Sequence, residues 1–218
     1  MTIADNIRRL RQQIPDHVRL ICVSKFHPAD AIKAAYDCGE RLFGESHAQE
    51  LTAKYDALPR DIAWHFIGSL QTNKVKYVVP RAALIHSVDS ERLLAAIDRC
   101  AERNNLTANV LLEIHIARES TKHGFAPDEA RTFFARRGWE QFPHTHICGL
   151  MTMGTATDDR TQTRAELRQV RRLFDELRQQ CALPYFTELS MGMSDDFDIA
   201  IDEGSTMVRI GTAIFGAR

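Results

Sequence analysis

The chain has 218 residues, with 28 Lys and Arg against 29 Asp and Glu, a formal net charge of −1 and 44% hydrophobic residues. Those values fit one globular domain spanning residues 1–218, because single cores extend to roughly 200–250 residues before they split. The near-neutral balance removes the electrostatic reason to expect a nucleic acid or an anionic membrane as partner, and the aliphatic content argues against disorder.

The opening segment, MTIADNIRRLRQQIP, reads as a polar helix without the apolar h-region of a secretory signal, and no apolar run approaches the ~20 residues of a membrane span. The five cysteines, Cys22, Cys38, Cys100, Cys148 and Cys181, are scattered, odd in number and without a Cys-x-x-Cys pair. A cytoplasmic protein with reduced thiols is therefore expected. Eight apolar, β-branched-rich runs of strand length follow, at residues 18–23, 41–43, 63–67, 84–88, 110–116, 146–151, 186–189 and 207–210. Several are almost wholly apolar, as strands buried on both faces of a parallel sheet require. Amphipathic segments lie between them. Residues 28–38 begin with Pro28, carry Ile32, Ala35 and Tyr36 at helical spacing and stop before Gly39. Residues 90–103 open on a Ser N-cap and align Leu93, Leu94 and Ile97, and residues 164–181 set Leu167, Val170, Phe174 and Leu177 opposite an arginine-rich face.

The strand-to-strand step averages about 27 residues, close to the ~30 of a βα unit. Eight units with an extra helix in front predict an α/β fold, a single (β/α)8 TIM barrel; an open doubly wound sheet is the alternative. In such a barrel the chemistry sits where strands end at their C-terminal side. Lys25 follows the buried run Leu20-Ile21-Cys22-Val23, so partial desolvation at the mouth would lower its pKa and free an amine able to attack an aldehyde; a lysine snorkelling to solvent fits the position too. The loops after the last two strands, Ser190-Met191-Gly192-Met193-Ser194-Asp195-Asp196 and Gly211-Thr212, have the small residues and hydroxyls that cradle a phosphate. Each loop also reads as plain turn glycines, with Ser194 as the N-cap of a helix running to Asp202. In a closed barrel the first strand neighbours the eighth, so the amine and the cradle face each other. An aldehyde that also carries a phosphate is pyridoxal 5′-phosphate, and Arg209 is then placed to reach its pyridine nitrogen.

At this point a resemblance is visible. The stretches Val23-Ser24-Lys25, Phe43-Gly44-Glu45, Trp64-His65-Phe66-Ile67-Gly68-Ser69-Leu70-Gln71-Thr72-Asn73-Lys74, Lys122-His123-Gly124-Phe125, Gly149-Leu150-Met151-Thr152, 189–197 and 208–216 resemble the pyridoxal-phosphate homeostasis protein family, whose fold is similar to the barrel domain of alanine racemase. The resemblance implies that Lys25 is the internal-aldimine lysine, that Arg209 meets the pyridine nitrogen, and that the phosphate sits among Ser190, Ser194, Gly211 and Thr212. The family commonly has Asn-Tyr after Gly-Glu, where this chain has Ser46-His47; Ser46 then inherits the contact to the ring hydroxyl, through a water. It further implies a cofactor binder without established turnover that stores, delivers or buffers pyridoxal phosphate. Apo forms of enzymes that use this cofactor are the expected partners, and a monomer is expected because the second, mostly β domain of alanine racemase is not encoded. The rival readings are a pyridoxal-phosphate-dependent racemase or decarboxylase, and a barrel for some other phosphorylated metabolite.

Four other groupings carry less. His144, His146 and Cys148 share one face of a strand but match no standard zinc spacing, and no metal is expected. Asp195-Asp196 reads as charge in the first turn of a helix. Lys122 and His123 fall at the mouth, where Lys122 is a candidate second amine, and Asn73, Lys74 and Lys76 read as a solvated helix face.

Overall fold

The computed structural model describes residues 2–116 and 123–216. In chain order the elements are α1 (Ile3–Arg11), β1 (Arg19–Val23), α2 (Ala29–Asp37), β2 (Leu42–Glu45), α3 (Ala48–Ala57), β3 (Ala63–Phe66), α4 (Val75–Val78), β4 (Ala82–Val88), α5 (Glu91–Arg103), β5 (Ala108–Ile114), α6 (Pro127–Ala135), β6 (Thr145–Thr152), α7 (Arg160–Cys181), β7 (Glu188–Ser190), α8 (Phe197–Asp202), β8 (Met207–Ile210) and α9 (Thr212–Phe215). All eight strands pair in parallel in sequence order, and β1 pairs with β8 through Arg19↔Met207, Leu20↔Val208, Ile21↔Arg209 and Cys22↔Ile210. The sheet is therefore the closed (β/α)8 barrel expected, and the open sheet is excluded. Among the described residues no helix is long and apolar enough to cross a membrane.

Alternation along the strands decides what lies inside. Leu20, Cys22, Phe43, Trp64, Phe66, Ile85, Leu112 and Leu150 face outward into the layer under the helices. Ile21, Leu84, Leu111, Cys148, Met151 and Met207 form a separate apolar cluster inside the barrel. Beside it the interior holds polar groups: His65, His86, Glu113, Ser190 and Arg209 are all buried, and buried polar groups of this kind persist only where they find partners.

The element ends show local chemistry. Ser90 caps α5 by accepting from Leu93 N at 3.3 Å. Helix α7 starts four residues earlier than its apolar stripe suggests, because the Asp159 carboxylate accepts from Thr161 N and Gln162 N. Helix α8 begins at Phe197, so Ser194 is not its cap and its hydroxyl is not taken by one; the Asp196 carboxylate accepts from Met193 N at 2.6 Å before the helix begins.

Of the three ligand-capable side chains, His144 lies just before β6, and His146 and Cys148 lie within it. The register slips between Val110↔Ile147 and Leu111↔Gly149, leaving Cys148 as the extra residue. His146 stacks on Tyr185 at 4.2 Å, and His144 lies 3.9 Å from Glu102. The slip depends on Gly149: its φ is +150°, and a Cβ there would fall 1.8 Å from the Glu188 carbonyl oxygen of β7.

Candidate functional site

Lys25 leaves the C-terminal end of β1 on a turn held from three directions. Ser24 Oγ donates to Glu45 Oε1 at 2.5 Å, Lys54 Nζ donates to Ser24 O and to Glu45 Oε1 (both 2.8 Å), and Phe26 N donates to Glu50 Oε1 at 2.6 Å. Lys54 Nζ also reaches Glu50 Oε1 at 2.6 Å. One buried ammonium thus ties two carboxylates of β2 and α3 to the carbonyl immediately before Lys25. Burial pushes the Glu45 carboxyl upward, opposed by its hydrogen bonds to Lys54 and Ser24. The turn is strained as well, since Phe26 has φ +68°, a left-handed conformation costly for a bulky side chain and found where the surroundings over-determine it. The sequence motif Phe43-Gly44-Glu45 marked this stretch, but Lys54 gave no sequence signal, sitting alone on a helix.

Lys25 lines a cavity of about 250 Å3 together with Val23, His27, Ile67, Met153, Met193, Ser194, Asp195, Arg209, Gly211, Thr212 and Gly216. The ends of β1 and β8 meet there: Val23 and Gly211 lie side by side, and a Cβ at Gly211 would stand 3.1 Å from Val23 O. Gly192, with φ +89°, lets the β7–α8 loop close against Ala200, whose Cβ a side chain at 192 would approach to 2.6 Å. His27, which the sequence reading did not select, stacks on Phe215 at 4.8 Å. A wider cleft of about 690 Å3 adjoins across Met153, Met193 and Asp195.

Arg209 forms the floor. Its Nη1 donates to Ser190 O (2.9 Å) and Ser190 Oγ (2.6 Å), and its Nη2 donates to Thr152 O (2.9 Å). Burial pulls the guanidinium down to about 10, with Asp196 and Glu113 acting in the opposite direction, so it stays charged at neutral pH. Behind it, Ser190 Oγ lies 3.0 Å from His86 Nδ1, and His86 Nε2 lies 2.8 Å from His65 Nδ1. Burial, then the charge of Arg19, lowers His65 to about 3; burial, then His65, Arg209 and Arg19, lowers His86 well below its usual range.

Of the residues singled out by sequence, Lys25, Ser194, Arg209, Gly211 and Thr212 come together on one cavity wall. Two do not join them. The Ser190 hydroxyl, expected at a phosphate, points into the barrel and is taken by Arg209 and His86, because Ser190 is an inward-facing strand residue and not part of the loop beyond. Ser46 is half-buried beyond β2, with its carbonyl so close to Gly68 that a Cβ there would fall 2.3 Å from it. Lys122 lies outside the described residues. Asp195 lines the cavity, whereas burial raises the neighbouring Asp196 carboxyl, against the Met193 amide and Arg209.

The family described as "Alanine racemase, N-terminal domain" matches residues 1–218. A protein named "Pyridoxal phosphate homeostasis protein" from Aquifex aeolicus is 42% identical over 203 residues, covering 92% of this chain and 87% of that one. A protein of the same name from Schizosaccharomyces pombe is 33% identical over 98% of this chain and 91% of its own. Among solved structures, PipY of Synechococcus elongatus with PLP bound superposes with a TM-score of 0.90 at 38% identity, over 99% of this chain and all of that one. Alanine racemase from E. faecalis shares the fold, with a TM-score of 0.74 at 16% identity, and this chain spans 58% of its length.

Proposed function

The chain belongs to the pyridoxal phosphate homeostasis proteins of the alanine racemase N-terminal-domain family, and on that premise we propose that it binds pyridoxal 5′-phosphate through Lys25 and serves the intracellular supply of that cofactor without turning over a substrate of its own. The observation that carries the reading is the shared cavity: a primary amine, an arginine floor and a small-residue cradle with two hydroxyls line the same space. The residues fit the cofactor, because Gly211 permits close backbone approach where a Cβ would crowd Val23, and because the amine and the cradle come from adjacent strands.

Bound pyridoxal phosphate supplies an aldehyde that condenses with a primary amine and a ring that withdraws electrons. Lys25 is the amine, positioned by the Ser24–Glu45–Lys54 contacts. Ser194, Gly211 and Thr212 hold the phosphate through hydroxyls and backbone amides. Arg209, remaining charged up to about pH 10, would meet the ring nitrogen of a bound cofactor with a proton it does not surrender, which would leave that nitrogen unprotonated and the ring a weak electron sink. Such a site holds the cofactor and lends little to carbanion chemistry. All five cysteines are free thiols, in keeping with a reducing cytoplasm.

Absorbance of the loaded protein, with borohydride reduction and peptide mapping, tests this. The cofactor is expected on Lys25, with Lys25→Ala showing neither the yellow band nor the reduced adduct, and with transfer to an apo-enzyme that needs the cofactor. An adduct elsewhere, or none, refutes the site. Rapid racemisation or decarboxylation of free amino acids by the loaded protein replaces the homeostasis reading with an enzymatic one.

A further inference from the structure

We propose that Ser190, His86 and His65 form a buried relay that braces the Arg209 guanidinium at the cavity wall, with every proton of the relay pointing away from the arginine. The inference rests on the cofactor reading above only for what Arg209 is braced toward; the relay itself stands on geometry.

The polarity follows from chemistry. A guanidinium only donates, so Ser190 Oγ accepts from Arg209 Nη1 at 2.6 Å. The hydroxyl proton of Ser190 then goes to its other neighbour, His86 Nδ1, at 3.0 Å. That makes Nδ1 the acceptor of His86 and places its proton on Nε2, which donates to His65 Nδ1 at 2.8 Å. His65 therefore also carries its proton on Nε2. A fixed cation at one end thus sets the hydroxyl rotor and the tautomers of two imidazoles across β8, β7, β4 and β3.

The electrostatics agree. Burial removes the solvent that would support a charge on either ring, and the charge of Arg19 opposes one on both rings while that of Arg209 opposes one on His86. Glu113 and Asp196 act on the guanidinium itself. The relay is consequently a neutral brace at working pH. It fixes Nη1 by two bonds while Thr152 O fixes Nη2. Nε and the second Nη2 proton, which make no hydrogen bond among the described residues, are the donors left for a ring nitrogen. Ser190 and His86 are positioning residues that act through Arg209.

The experiment uses the full chain. Nitrogen-15 NMR of the histidine side chains without cofactor is expected to show both His65 and His86 as neutral Nε2–H tautomers between pH 6 and 8, approximately the neutral range of interest; an Nδ1–H tautomer or an imidazolium at His86 overturns the relay. Titration with pyridoxal phosphate then compares His86→Asn, whose amide oxygen takes the Nδ1 position and still accepts from Ser190, with His86→Gln and His86→Leu, which do not. His86→Gln and His86→Leu are expected to weaken binding about tenfold, the size of one lost hydrogen bond, and to shift the absorbance of the bound cofactor. His86→Asn is expected to stay within about threefold of the parent, since it keeps that bond. Equal affinity and spectrum in all three variants, or His86→Asn as weak as His86→Leu, overturns the proposal. Ser190→Ala, expected to weaken binding about tenfold as well, supplies the same test if a His86 variant does not fold. A parent protein that takes no pyridoxal phosphate refutes the cofactor reading, and the tautomers still decide the relay.

Discussion

Lys54→Met is the perturbation that most directly separates a built site from an incidental one. Lys54 is 8% exposed and Glu45 0%, so the weak, screened energetics of a surface ion pair do not apply. The substitution preserves the aliphatic stem and removes three donated bonds, to Ser24 O, Glu45 Oε1 and Glu50 Oε1. It leaves Glu45 fully buried with Ser24 as its remaining side-chain partner among the described residues, on Oε1, while Oε2 already has none there. Breaking a buried pair in this way costs about 3–5 kcal/mol, which for a chain of this size lowers the melting temperature by roughly 10 °C. The loss depends on pH with a definite sign. Without Lys54 the folded-state pKa of Glu45, already raised by burial, rises further above its unfolded value. The unfolded carboxyl then ionises first, so stability is retained at low pH and lost as pH rises through the folded pKa, by at most about 1.4 kcal/mol per unit. Urea denaturation at several pH values reads this directly, and Lys54→Met/Glu45→Gln is expected to recover much of the loss at neutral pH. Cofactor binding should weaken in parallel, because the carbonyl before Lys25 loses its tether. A Lys54→Met protein as stable as the parent at pH 8, with unchanged affinity, would refute the account of how Lys25 is held.

Three further outcomes follow from single features. Gly149→Ala forces a Cβ toward the Glu188 carbonyl at a positive φ and is expected to cost at least about 3 kcal/mol in the urea midpoint, whereas a neutral effect would show that the β6 slip is not fixed there. Asp159→Ala removes the cap that accepts from Thr161 N and Gln162 N and should cost about 1 kcal/mol, or roughly 2–4 °C in melting temperature, leaving cofactor binding unchanged. His65 and His86 are buried and neutral, with folded pKa values below the unfolded one. Their contribution is present above about pH 6.5 and is lost as pH falls toward the folded values, at up to about 1.4 kcal/mol per unit for each histidine. His65→Gln should therefore flatten the stability profile between about pH 6 and 4, and an unchanged slope refutes their buried neutrality.

The sequence by itself determined the barrel and most of one wall of the site. Eight near-continuous apolar runs separated by amphipathic segments leave few arrangements that bury both faces of a parallel sheet. Residues that end such runs, Lys25, Gly211 and Thr212, must then appear at the same mouth. Period-two alternation also tells which strand residues face inward, but not which of them meet across the interior. That is fixed only when the sheet closes: His86 and Ser190 are 104 residues apart in the chain and 3.0 Å apart in space. Closure is why the Ser190 hydroxyl meets Arg209 and His86, and why Lys54, one charge on an ordinary helix, proves to be the buried anchor of the lysine turn. Alternation likewise does not reveal that His146 stacks on Tyr185 or that His144 lies 3.9 Å from Glu102. Local pattern specifies elements and their faces, whereas buried polar partners are chosen by through-space geometry, because an unpaired donor or acceptor is costly only in the environment that folding creates.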